Sequence, residues 1–136
     1  MYMYRFAQKD LLHWFESPHR KPLILRGARQ VGKSTLVRNF CHDHQLTLLE
    51  LNLEKTPLKS LIKDGYSPDE TIQEIEFLSK QQLTHDRKKS ILFLDEIQEQ
   101  PKAINLLRYF YEDKKELAVI AAGSLLEVAL KQNKIE

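Results

Sequence analysis

Along the chain, apolar runs of strand length alternate with segments whose apolar residues recur every three or four positions. The runs are Pro22 to Leu25, Leu46 to Leu53, Ser90 to Leu94 and Leu117 to Ala122, and the spacing between them predicts helices. Strand–helix–strand repetition implies βαβ units and a mainly parallel sheet, because parallel neighbours need a crossover. Ile91-Leu92-Phe93-Leu94 and Leu117-Ala118-Val119-Ile120-Ala121-Ala122 do not alternate with polar residues. Such runs mark strands covered on both faces, so a three-layer α/β sandwich with helices on either side of the sheet is expected.

The helices carry their own punctuation. Ser67-Pro68-Asp69-Glu70 offers a capping serine, a first-turn proline and a glutamate three residues on, ahead of Ile72, Ile75 and Leu78; this predicts a helix over 68–83. Pro101 opens a second, with Ile104, Leu107 and Tyr111 on one face and Lys114-Lys115 near its negative end, predicting helix over 101–114. Phe6, Leu11, Leu12, Trp14 and Phe15 predict an amphipathic helix over 4–17 that ends before Pro18, its aromatics turned to the core. No repeat or Gly/Ser linker interrupts the chain, so one domain over 1–136 is expected, with its core from residue 22 onward.

Composition changes this picture little. At 136 residues, 42% apolar and 29% charged, the chain is of one-domain size and globular rather than disordered. Its longest purely apolar run, Leu117 to Ala122, is far short of a bilayer span. The start Met1-Tyr2-Met3-Tyr4-Arg5 has no basic stretch leading into an apolar one, and the single Cys41 has no disulfide partner within the chain. A cytoplasmic location follows as the expectation. Residues 1–68 hold 11 Lys/Arg and 6 Asp/Glu (+5) and residues 69–136 hold 10 and 13 (−3), which sum to the net +2. A mildly cationic first half suits a small polyanion.

Candidate chemistry begins at Gly27-Ala28-Arg29-Gln30-Val31-Gly32-Lys33-Ser34, which matches the P-loop pattern GxxxxGK[ST] between a strand, Leu23 to Leu25, and a helix expected from Thr35 to about His42. Its glycines allow a turn whose backbone N–H groups face inward around phosphate oxygens, and the following helix presents its positive end to the same anion. Lys33 adds a full charge, worth about 4 kcal/mol against a unit charge ~4 Å away at an effective dielectric of about 20, before desolvation. The Ser34 hydroxyl suits Mg²⁺. The pattern arises by chance about once in 200 chains of this length.

The other half of such a site belongs at the carboxyl end of another strand. Ile91-Leu92-Phe93-Leu94-Asp95-Glu96 supplies it: Asp95 is a candidate for the Mg²⁺ shell, and Glu96 for orienting the water that attacks the γ-phosphate. Gly123-Ser124 ends the last apolar run, where Ser124 is either a γ-phosphate sensor or the cap of a helix over 125–130.

Three other features carry less. Cys41-His42-Asp43-His44 has metal-ligand residue types, but adjacent helical positions point apart. Asn133-Lys134-Ile135-Glu136 has Glu where guanine readers have Asp, favouring adenine. Asp86-Arg87-Lys88-Lys89 is one short basic turn and does not support a nucleic-acid partner.

Together, Arg26 to Ser34, Leu51-Asn52-Leu53-Glu54, Leu94-Asp95-Glu96-Ile97-Gln98 and Ala122-Gly123-Ser124 resemble a family of prokaryotic AAA-like ATPases whose N-terminal AAA domain is usually joined to a C-terminal domain of unknown function (DUF4143). The resemblance runs across nearly the whole chain. It implies a P-loop NTPase fold of the ASCE/AAA-like kind, with ATP on Gly27, Ala28, Arg29, Gln30, Val31, Gly32, Lys33, Ser34 and Thr35. It further implies Mg²⁺ on Ser34 and Asp95, and catalysis by Lys33, Glu96 and Ser124. Relatives continue past the position of Glu136 into another strand and a helical lid, so the fold here is expected to stop before both. Oligomeric relatives of this class also borrow an arginine from a neighbour, and the partners expected beside ATP are a second copy of the chain or a protein client.

The leading functional expectation is Mg²⁺-dependent ATP binding and hydrolysis coupled to conformational change. Two alternatives stand beside it: a regulatory module that holds nucleotide without efficient turnover, and a small P-loop kinase in which Glu96 activates a substrate hydroxyl.

Overall fold

The computed structural model describes residues 2–25, 31–62, 65, 67–83 and 89–123. In chain order these form helix α1 (Tyr2–Glu16), strand β1 (Leu23–Leu25), helix α2 (Val31–Asp43), strand β2 (Thr47–Asn52), helix α3 (Pro68–Ser79), strand β3 (Ser90–Asp95), helix α4 (Pro101–Asp113) and strand β4 (Ala118–Ala122). Short 3₁₀ turns cover Lys59–Ile62 and Ile97–Glu99. The four strands make one sheet in the order β1-β4-β3-β2, every pair parallel.

Each central strand divides its side chains between two cores, as the unbroken apolar runs require. Ile91 and Phe93 of β3 and Ala118, Ile120 and Ala122 of β4 pack with Leu11 of α1 and Val37, Phe40 and Cys41 of α2. Leu92 and Leu94 of β3 and Val119 and Ala121 of β4 pack with Ile72 and Ile75 of α3 and Ala103, Ile104, Leu107 and Phe110 of α4. Two aromatics of α1, Trp14 and Phe15, pack against this core, and Phe15 meets Phe40 edge-on with ring centroids 5.9 Å apart. Trp14 packs beside it and donates its indole N–H to the Lys21 carbonyl at 2.6 Å.

Helix boundaries depart from the sequence expectation in informative ways. α2 begins at Val31 rather than Thr35, so Gly32, Lys33 and Ser34 lie inside its first turn. α3 ends at Ser79 rather than 83, because Lys80 takes a left-handed conformation (φ 59°, ψ 30°) and turns its N–H back to the carbonyls of Glu76 and Phe77. Ser67 does sit at the N-cap with Pro68 following, but its hydroxyl makes no capping bond. The first turn is closed instead through the Ser67 carbonyl, which accepts both the backbone N–H (3.0 Å) and the hydroxyl (3.2 Å) of Thr71.

Two side-chain clamps hold the connections that frame the sheet's carboxyl edge. Glu74 of α3 accepts the backbone N–H groups of Lys59 (2.7 Å) and Ser60 (2.9 Å), capping the 3₁₀ turn after β2. Although burial alone would raise its pKa, those bonds hold the Glu74 carboxylate below its usual range. Gln100 clasps the Leu58 peptide from both sides, accepting its N–H at 2.6 Å and donating to its carbonyl at 3.0 Å.

Candidate nucleotide site

Because the strands are parallel, their carboxyl ends share one edge of the sheet. The register pairs Leu25 with Ala122, Leu94 with Ala121, and Asn52 with Asp95, so the ends of all four strands lie side by side there. β4 lies between β1 and β3. Beyond β1, α2 opens at Val31, and the first backbone N–H groups of a helix have no carbonyl partner within it.

On that first turn, Ser34 reaches β3: its Oγ lies 3.3 Å from Asp95 Oδ2. Lys33 is partly buried, whereas Gly32 and Thr35 are exposed. A Cβ added to Gly32 would meet nothing within 4 Å among the described residues. Asp95 is itself half-buried, and its other oxygen, Oδ1, accepts the backbone N–H of Glu96 at 2.9 Å. Burial pushes the Asp95 carboxyl above its ordinary pKa, and the neighbouring charges of Glu96 and Glu50 push the same way. The Glu96 N–H and the Ser34 hydroxyl only partly offset this. An acid raised in this way favours any added positive charge.

The chain turns sharply after Asp95. Glu96 adopts a left-handed conformation (φ 53°, ψ 44°) and is only 5% exposed, a strained state for a residue with a Cβ and of the kind that clusters at functional sites. Gln98, two residues on in the 3₁₀ turn, donates its side-chain N–H to Glu96 Oε1 at a long 3.4 Å. Asn52, beside Asp95 in the sheet, turns its Oδ1 to the backbone N–H groups of Glu54 (2.9 Å) and Lys55 (3.3 Å), tightening the exit from β2. One turn beyond Ser34, Arg38 grips Glu50 of β2 with two bonds of 2.8 and 2.7 Å, tying α2 to the far strand of the sheet. The Glu50 carboxylate holds the Arg38 pKa above its usual value.

Among the residues that the sequence nominates, the structure brings Ser34, Asp95 and Glu96 together, with Lys33 on the same turn as Ser34. Gly27, Ala28, Arg29, Gln30 and Ser124 lie outside the described residues, as do 86–88 and 125–136. The Cys41 to His44 group diverges: Cys41 is buried with its thiol pushed up to about 12 by burial, while His42 and His44 are exposed and the His44 ring lies tilted against Phe40 with centroids 4.5 Å apart. Sequence reasoning did not find the Arg38–Glu50 clamp, the strain at Glu96 or the placement of Gln98. The Leu94 to Gln98 motif contains Glu96 and Gln98 but does not announce the bend or the wedge, and no motif marks the clamp.

A divalent cation fits what is here. Ser34 and Asp95 converge two hard oxygen donors, and Mg²⁺ sites use one or two protein groups plus substrate phosphates rather than a full protein cage. Among the described residues no cluster of three or more His, Cys, Asp or Glu could hold an ion by protein ligands alone.

Residues 19–135 match the model of a family described as an AAA domain. The chain belongs to that family. As an AAA domain it is a nucleotide-binding module of the P-loop class, and its four-stranded parallel sheet between helical layers accords with that fold. A curated relative, the replication factor C large subunit of Sulfurisphaera tokodaii, is 39% identical over 51 residues, covering 34% of this chain and 12% of that protein. The AAA domain thus spans only a small part of that relative's length. No helix among its described residues is long and apolar enough to cross a membrane.

Proposed function

We propose that this AAA domain binds ATP with Mg²⁺ and hydrolyses it, passing the resulting conformational change to an attached domain or an associated protein. The observation that supports this most is the 3.3 Å approach of Ser34 Oγ to Asp95 Oδ2 beside the start of α2. It joins the two halves of the motif pair at one edge of the sheet. Gly27 to Thr35 cradle the phosphates, with Lys33 as the mobile charge. Ser34 and Asp95 hold the metal, which when bound draws negative charge from the phosphate oxygens. Glu96 accepts a hydrogen bond from the attacking water and takes its proton as the water oxygen bonds to the γ-phosphorus and the bond to the ADP oxygen breaks. Ser124 follows β4 and serves as the γ-phosphate sensor. The buried, turned Glu96 is suited to a fixed rather than a mobile base.

ATP binding and phosphate release are measured for the wild-type chain and for Lys33→Ala and Glu96→Gln. The first substitution should abolish binding, and the second should keep binding and lose turnover. A Lys33→Ala chain that binds as tightly as wild type overturns the site. Binding without turnover above the Glu96→Gln background leaves a nucleotide-holding module in place of an ATPase. A phosphorylated metabolite as product makes it a kinase.

A further inference from the structure

Gln98 is held at a cost. Its Oε1 is shut off from solvent and has no hydrogen-bond partner among the described residues, and a buried acceptor left in that state costs about 1–3 kcal/mol. Its carboxamide is pressed against the end of β4: a Cβ added at Gly123 would fall on Gln98 Oε1 and lie 3.1 Å from its Cδ, with the Ile97 backbone nitrogen at 3.5 Å. Only a glycine at 123 leaves room for this placement. The other end of the same carboxamide, Nε2, donates to Glu96 Oε1. One planar group therefore spans the gap between the carboxylate after β3 and the backbone at the end of β4. The left-handed backbone of Glu96 is secured locally by the bond from its own N–H to Asp95.

We propose that Gln98 is a positioning residue of the hydrolytic site. Wedged against Gly123, it fixes the Glu96 carboxylate and makes the end of β4 part of what sets that carboxylate's angle. This rests on the reading of Glu96 as the group that orients the attacking water. The long Nε2–Oε1 separation is that of a contact poised to tighten when ligand closes the site.

The test uses the whole chain with ATP and Mg²⁺, comparing kcat, KM and melting temperature. Gln98→Ala should lower kcat about tenfold with KM within about twofold of wild type, the signature of an interaction made in the transition state. In a Glu96→Gln background, adding Gln98→Ala should change the residual rate by less than about twofold, because the group it positions is gone. Gln98→Asn retains an amide but is one methylene short of the span, so it should match Gln98→Ala in rate. Gly123→Ala should expel the carboxamide and lose turnover in the same way, and Gln98→Ala should restore the melting temperature that Gly123→Ala lowers. Wild-type kcat in folded Gln98→Ala and Gln98→Asn overturns the proposal, as does an equal loss in the Glu96→Gln background. If wild type shows no turnover that Glu96→Gln removes, the hydrolytic reading itself fails and this proposal with it.

Discussion

The Ser34 hydroxyl and the Asp95 carboxylate, 61 residues apart in the chain, meet at 3.3 Å. Neither would be there without the sheet. Ser34 is carried by the first turn of α2, and Asp95 terminates a strand separated from β1 by β4. The distance is bridged because Asp95 falls on the same face of β3 as Ile91 and Phe93, the face that packs on α2. A slip of one residue in β3 would turn Asp95 to the opposite layer and bring Glu96 round in its place.

Removing that hydroxyl should uncouple nucleotide binding from the metal. In Ser34→Ala the gain in ATP affinity that Mg²⁺ gives wild type should fall by about 10–100-fold, the range seen when one supporting group of a metal site is lost. Titrations of a fluorescent ATP analogue with Mg²⁺ and with EDTA measure it. The EDTA arms of the two chains should agree, since Ser34 is not asked to bind phosphate alone.

Asp95 should weaken the fold that it serves. Its folded pKa lies above the unfolded one because burial disfavours the charge. Such a group favours folding while protonated, and that contribution declines as pH rises from the unfolded value, about 3.9, through the raised folded value. Asp95→Asn cannot ionise and escapes the decline. In EDTA at pH 7 the variant should therefore melt above wild type, with the difference closing below about pH 3.9. Melting curves across pH 3–8 decide it, and Mg²⁺-dependent ATP binding should be lost in the same variant.

Glu74 should show the opposite sign. Its carboxylate is held below the usual range by the backbone N–H groups of Ser60 and Lys59, against the effect of burial. A depressed acid stabilises the fold above its unfolded pKa, about 4.3, and loses that stabilisation as pH falls through the folded value. Glu74→Gln should cost about 1 kcal/mol at pH 7, the worth of a cap. The deficit should shrink on acidification below about pH 4.3, where the wild-type side chain also becomes neutral. Denaturant unfolding at pH 7 and pH 3 is the measurement.

These relationships were unequally legible in the sequence. Ser34, Asp95 and Glu96 are flagged by local patterns: a glycine-lysine loop between strand and helix, and two acids after four apolar residues. Their chemistry needs neighbouring residues, so spacing carries the signal. The strand order β1-β4-β3-β2 is not encoded that way, because all four runs are apolar and their long crossovers permit several orders. Lys80 and Glu96 have positive φ without being glycine or asparagine, so nothing local announced that α3 would stop at Ser79 or that the chain would bend after Asp95. Gln98 against Gly123 is a steric meeting of two elements, visible only once β3 and β4 are neighbours.

The left-handed turn at Glu96 separates strain from chemistry in one comparison. At φ 53° and ψ 44° any residue with a Cβ is disfavoured, by about 1–2 kcal/mol, whereas glycine is not. Glu96→Ala and Glu96→Gly both delete the buried carboxylate and its bond from Gln98, so their difference isolates the backbone. Glu96→Gly should be the more stable of the two by about 1 kcal/mol, which is about 4 °C in melting temperature for a domain of this size. Ordinarily alanine is the more stable because its unfolded chain is less free; equal stabilities or an alanine advantage would show that the turn is not held left-handed in solution. Neither variant should release phosphate, and both should still bind ATP, since Lys33 and the start of α2 are untouched. A chain that gains stability from glycine while losing turnover would show that the bend after β3 is kept for the placement of a carboxylate and not for the fold.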